Sequence, residues 1–330
     1  MSRTQASPVA LPDLRGRTAL VTGASDGVGV EIARGLAAAG ADLVLPVRNR
    51  VKGERAVERV RESAPDARAD LVDLDLARLD SVRALATAIL ADRTPLDLVV
   101  LNAGIVLLGD RERHVSTDGF ELHFQTNFLG HFALTTALLP LLQERGARVV
   151  VQLSLAARFG RPAWDDLQSE RRYSPLRAYG ASKVASGLFG YELARRSAAA
   201  GGVTVHLSHP GVVPDTGIAP AMRARDRGSL GRRLADGLGN TPAQAAQPAL
   251  LAAVTVPTAP PLAAGAASGA SGRVGPAPAP GFFGPAGALH FGGAAGPVRP
   301  YRRLADPVDG ARMWAVAEQL LQDRSDAVRA

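Results

Sequence analysis

The chain has 330 residues, no cysteine, 5% aromatic residues and a formal net charge of +7. Its length suffices for one elaborated α/β domain or two small ones, and the lack of cysteine excludes disulfides, thiolate chemistry and cysteine-ligated metals. Arginines interleaved with acids argue against nucleic-acid binding. With no apolar run of membrane-spanning length and no secretory h-region in Met1–Arg17, a cytoplasmic protein without a metal is expected.

The apolar pattern alternates between strand and helix. Residues 18–22 (Thr-Ala-Leu-Val-Thr) read as a buried strand, followed by a glycine-rich turn and a helix to Ala39. Leu43–Val47 is a second strand and Val51–Ser63 a charged amphipathic helix. Ala69–Leu74 is a third strand and Leu79–Ala91 a helix. Leu96–Leu101 is a continuously apolar fourth strand, and Phe120–Leu142 a long helix. Arg148–Leu153 is a fifth strand, Tyr179–Ala199 a helix and Val203–Ser208 a sixth strand. Continuous apolar strands alternating with helices predict an α/β fold: a Rossmann-type, doubly wound parallel sheet with helices on both faces. Two regions break this rhythm. Pro210–Asn240, rich in Gly, Pro and Arg, lies where a lid would sit. Val256–Gly281, dominated by Ala, Gly, Pro and Ser, is expected to be a mobile insert. Phe282-Phe283 starts a short edge strand, and Pro307–Leu321 is a final amphipathic helix with Met313, Trp314 and Leu320 inward. The whole is one domain, with its core at 14–255 and an extension at 282–322.

Two motifs carry chemistry. The turn Gly23-Ala24-Ser25-Asp26-Gly27-Val28-Gly29 joins a strand to a helix. Its glycines permit close approach of backbone to a pyrophosphate at the helix N-terminus, so Gly23, Ser25, Asp26, Gly27, Val28 and Gly29 are expected at a dinucleotide. Tyr179 and Lys183 stand four residues apart on one helix face. An ammonium beside a phenol favours the phenolate and brings proton transfer within reach of neutrality. The 38 basic residues include only two lysines, Lys52 and Lys183.

The spacing T-G-x3-G-x-G resembles that of the short-chain dehydrogenase/reductases, and further signatures follow in order. Asp75-Leu76 resembles the adenine-binding position, and Asn102-Ala103-Gly104 the segment that lines the cofactor. Asn127, Ser154, Tyr179 and Lys183 match a catalytic tetrad. Pro210-Gly211, with Val213 close behind, matches the segment beside the nicotinamide. Asp166–Tyr173, Asn127–Phe132 and His209–Val213 are similar to the retinol dehydrogenase and protochlorophyllide reductase subgroup. The resemblance implies an oxidoreductase exchanging hydride between a nicotinamide and a lipophilic ketone or alcohol, such as a biosynthetic ketoreductase. Tyr179 would donate the proton, Ser154 would bind the carbonyl oxygen, Lys183 would lower the Tyr179 pKa and hold the ribose, and Asn127 would position a water. A redox-neutral relative and a cofactor-binding regulator are the alternatives. A homodimer or tetramer through the Asn127 and Tyr179 helices is also implied.

The second strand ends in Arg48-Asn49-Arg50 without an acid, and Arg48 suits a 2′-phosphate, so NADP(H) is favoured over NAD(H). Asp26, whose charge would lie near that phosphate, is the contrary sign. Leu155, Phe159, Trp164, Leu167, Tyr173 and Met222 are expected either to wall an apolar substrate pocket or, for Trp164 and Leu167, to pin a loop. His206 and His209 are expected to be structural. The arginines of the lid (Arg223, Arg225, Arg227, Arg232, Arg233) are read as a solvated face, with an anionic partner as the other use.

Overall fold

The computed structural model describes residues 8–200, 202–213, 239–256 and 280–329. The elements in chain order are β1 (Thr18–Val21), α1 (Gly27–Ala38), β2 (Asp42–Val47), α2 (Arg50–Ser63), β3 (Ala69–Asp73), α3 (Leu79–Ala91) and β4 (Leu96–Leu101). They continue through α4 (Leu122–Phe124), α5 (Gly130–Arg145), β5 (Arg148–Gln152), α6 (Ala156–Phe159), α7 (Pro175–Ala200) and β6 (Thr204–Ser208). The last are α8 (Pro242–Val254), β7 (Phe282–Pro285), β8 (Ala295–Pro297) and α9 (Pro307–Arg329). The strands form one sheet in the order β3-β2-β1-β4-β5-β6-β7-β8. It is parallel throughout except for β8, which runs antiparallel to β7. The order reverses at β1, which pairs with β2 through Thr18↔Asp42 and with β4 through Val21↔Val100. Carboxyl ends of strands diverge there and open a crevice, the place where such sheets bind ligands.

One core lies on each face of the sheet. On the first, Phe128, Phe132 and Phe189 are fully buried and pack together, and Phe132 and Phe189 meet Trp314 of α9. The Trp314 ring is 4.9 Å from Phe132 and 5.9 Å from Phe189, with the Arg196 guanidinium 4.2 Å above it. On the second, α1 packs against α8, where Leu250 nests on Gly35.

The expected strands and helices are present, with several differences in bounds and additional elements. The long helix is broken into α4, a π-helical segment Gln125–Leu129, and α5. It runs beyond Leu142 to Arg145 and stops at Gly146, whose φ of 60° is left-handed. Helix α8 has no counterpart among the expected elements. Its signal was Thr241-Pro242-x-Gln244, which forms a capping box with proline in the first turn. The Phe282-Phe283 strand is not an edge, because β8 covers its outer side. Helix α9 lies along α7, burying Met313 and Trp314 and half-burying Leu320. Pairing of two copies through that face of α7 would have to displace Trp314. The arginines of the lid, Met222 and residues 257–279 lie outside the described residues. Among the described residues no helix is long and apolar enough to cross a membrane.

Candidate active site

The crevice at the strand reversal is a groove with two halves. The first, of about 370 Å³, runs from the glycine turn past Arg48 and Lys52 to Asp75 and Leu76. The second, of about 260 Å³, holds Ser154, Leu155, Tyr179, Lys183, Pro210, Gly211 and Val213. Both are lined by Val28, Asn102, Gly104 and Ile105, so they form one continuous cleft.

The glycine turn is shaped for close approach. Gly23 has a φ of +68°, and a Cβ there would lie 2.8 Å from Ala103 Cα. A Cβ on Gly29 would lie 2.2 Å from the Gly23 carbonyl. Asp26 caps α1, its Oδ1 accepting from Gly27 N at 2.7 Å. Asn49 caps α2 by accepting from Lys52 N at 2.9 Å. Arg50 is held by Asp73 at 3.3 Å, which leaves Arg48 and Lys52 as the cations that line this end of the groove.

The floor is a chain of buried polar groups. Asn102 N and Ala103 N both donate to Thr22 Oγ1 at 3.0 Å, and Asn102 Nδ2 donates to the Thr22 carbonyl at 3.0 Å. Burial pushes the His131 pKa down to about 3, so its ring is neutral. Its Nδ1 then donates to the Asn127 carbonyl at 3.3 Å, and its Nε2 accepts from the Thr22 hydroxyl at 2.9 Å. His131 lies one turn after Asn127, and it ties the Asn127 helix to the segment that lines the cleft.

Asn127 sits at the centre of the π-helical segment, a local widening often found at functional sites. Its Oδ1 accepts from Ile105 N at 2.7 Å, and its Nδ2 donates to the Ile105 carbonyl at 3.1 Å and to Ser182 Oγ at 2.9 Å. Gly104 lies against it: a Cβ there would stand 3.0 Å from Asn127 Oδ1 and 3.3 Å from Lys183 Nζ. Lys183 Nζ donates to the Gln152 carbonyl at 3.2 Å, and burial lowers its pKa to about 8. Burial pushes the Tyr179 phenol up, and a hydrogen bond from Ser154 pulls it down. Ser154 is thus a hydrogen-bond partner of the phenol. Ser154, Tyr179 and Lys183 line one end of one cleft, and Asn127 stands behind its wall against Gly104 and Ile105.

Residues 17–227 match the profile of the short chain dehydrogenase family. The chain belongs to that family. Among its relatives, retinol dehydrogenase 12 of Mus musculus is 41% identical over 199 residues, covering 60% of this chain and 62% of the relative. The chain thus matches less than two thirds of that relative's length. A crystal structure of an uncharacterized protein from Mycobacterium Paratuberculosis superposes with a TM-score of 0.72 at 31% identity, over 96% of this chain and 98% of the other. The Pseudomonas aeruginosa RhlG/NADP active-site complex superposes with a TM-score of 0.58 at 27% identity, over 74% of this chain and 91% of the other.

Other expected residues fall elsewhere. Of the expected pocket wall, Leu155 lines the cleft. Phe159 is 77% exposed on α6. Trp164 and Leu167 pack on the core, Trp164 with the Arg312 guanidinium of α9 4.2 Å above its ring, so they pin the loop. Tyr173 is half-buried and does not line the cleft, and burial raises its phenol to about 12. The apolar wall of the second half comes instead from Ile105, Val106, Leu108, Leu153 and Val212. His206 bridges Thr255 O and Gly281 N at 3.0 and 2.9 Å, and His209 accepts from Gly211 N at 3.3 Å, both structural contacts.

Proposed function

We propose that this protein is an NADP(H)-dependent carbonyl reductase or alcohol dehydrogenase acting on a lipophilic ketone or alcohol. The observation that carries this reading is the convergence of Ser154, Tyr179 and Lys183 at one end of a cleft whose other end begins at a glycine turn. The cleft suits a dinucleotide: Gly23 and Gly29 leave no room for a Cβ beneath it, and Arg48 and Lys52 face the end where a 2′-phosphate would lie. When bound, the nicotinamide supplies or accepts the hydride.

The remaining chemistry belongs to the chain. Ser154 orients the carbonyl oxygen toward the Tyr179 hydroxyl, which gives its proton to that oxygen in reduction and takes it back in oxidation. Lys183 holds positive charge close to Tyr179 as phenolate character develops. Asn127 keeps Ile105 in register, so the cofactor and the proton donor face one another. The apolar wall of Ile105, Val106, Leu108 and Leu153 favours a substrate with few polar groups, as does the likeness to a retinol dehydrogenase.

The test is purified protein mixed with NADPH or NADH and a panel of aliphatic and aromatic ketones, followed at the nicotinamide absorbance. Turnover with NADPH on apolar ketones supports the reading. Cofactor binding without turnover in either direction, or a preference for NADH, contradicts it.

A further inference from the structure

Behind Tyr179 lies a carboxylate–imidazole pair that the tetrad does not use. Glu121 and His123 are 1% and 0% exposed. Leu107 N donates to His123 Nε2 at 3.1 Å, so that nitrogen is unprotonated. The proton is therefore on Nδ1, which donates to Glu121 Oε1 at 2.8 Å. The other carboxylate oxygen, Oε2, accepts from Phe124 N at 2.7 Å, and Glu121 N donates to Gln168 Oε1 at 2.8 Å. The imidazole edge meets the Tyr179 ring at a centroid distance of 6.1 Å.

Three segments thus converge on the pair. One is the loop after β4, where Ile105, Val106, Leu107 and Leu108 line the cleft. The second is the start of the Asn127 helix. The third is the loop between Ser154 and Tyr179, reached through Gln168. A buried carboxylate and imidazole are costly unless each is fully hydrogen-bonded. A wall built only for packing would use apolar residues at both positions. What the polar pair adds is direction: Glu121 fixes the tautomer, and the tautomer presents a lone pair to one backbone N–H.

We propose that Glu121 and His123 are positioning residues: by holding the Leu107 backbone they fix the loop whose Ile105, Val106 and Leu108 line the Tyr179 half of the cleft, and so set how a substrate meets Tyr179. This rests on the assignment of Tyr179 as the proton donor.

The test compares His123→Asn, which can keep the donor toward Glu121 but cannot reach Leu107, with His123→Gln, which can place an acceptor near the Nε2 position. With the best ketone of the panel, the Asn variant is expected to lose about tenfold in kcat/KM, the size of one hydrogen bond, and the Gln variant to stay within about threefold of wild type. Exchange of the Leu107 amide should quicken about tenfold in the Asn variant and recover in the Gln variant. Equal losses in the two variants, or no loss in either, would overturn the proposal. If no ketone turns over, the functional reading fails, and the amide exchange still decides whether His123 holds Leu107. If the variants do not fold, the ring nitrogens of wild-type His123, observed by ¹⁵N resonance, decide: a protonated Nδ1 and bare Nε2 are expected, and a protonated Nε2 overturns the assignment.

Discussion

Asn127 pairs with Ile105 as one strand pairs with another, its amide accepting from Ile105 N at 2.7 Å and donating to Ile105 O at 3.1 Å. A side chain from the helical segment after α4 thereby completes the backbone hydrogen bonding of the loop that joins the two halves of the cleft. Replacing Asn127 by Ala would strand both backbone groups of Ile105. A buried group left unpaired costs about 1–3 kcal/mol. Urea unfolding of Asn127→Ala is expected to show a loss of that size, together with weaker cofactor binding. Unchanged stability would mean that water replaces the amide without cost.

Lys183 makes stability depend on pH in a stated direction. Burial lowers its pKa to about 8 from an ordinary 10.5. Below about 8 both folded and unfolded chains carry the proton, and the folded state bears the whole cost of the buried charge. Between about 8 and 10.5 the folded state has released a proton that the unfolded state keeps. Stability due to this group therefore rises with pH across that window. In the cofactor-free protein, wild-type stability measured against Lys183→Met should increase from pH 8 to pH 10. A flat or falling difference contradicts the burial argument.

Arg48 is exposed at the end of β2 and lines the cofactor half of the cleft together with Lys52. Arg48→Ala should weaken NADPH by about ten- to a hundredfold, the size of one charge-assisted pair, and should leave NADH nearly unchanged. The measurement is the Kd of each cofactor by fluorescence titration. Equal losses for the two cofactors would remove Arg48 from the phosphate.

Trp314 joins α9 to the core through Phe132 and Phe189. Trp314→Ala is expected to cost about 3–5 kcal/mol, the range for deleting a large buried ring. Denaturant unfolding measures this, and a loss below about 1 kcal/mol would show that α9 is only loosely docked.

Much of this architecture was legible because the strands are continuous apolar runs and each functional residue closes or follows one. Thr22-Gly23, Asp75, Asn102 and Ser154 all stand at or just beyond strand ends, where a parallel sheet gathers them on one edge. What the sequence hid depended on tertiary choice. Helix α8 is an alanine-rich stretch whose burial on α1 shows no polar–apolar contrast along the chain. The π-helical widening at Asn127 answers to partners at Ile105 and Ser182, far away in sequence. Trp164 has an apolar face that suits either a pocket or a core, and only the arrival of Arg312 from α9 decided it. Asn49, expected with Arg48 at the cofactor, caps α2. Glu121 and His123 carry no motif, and their role depends on the return of Leu107 to the start of this helix.

The central claim is that the Tyr179 hydroxyl transfers the proton in the second half of this cleft. Tyr179→Phe keeps the ring and its edge contact with His123 and removes only the hydroxyl. The decisive measurement is single-turnover reduction of the best ketone by the variant, with cofactor affinity measured alongside. The account expects cofactor binding within about threefold of wild type and a rate lower by about 10²-fold or more, the range for lost acid–base catalysis. A variant that binds cofactor normally and turns over near the wild-type rate would contradict it.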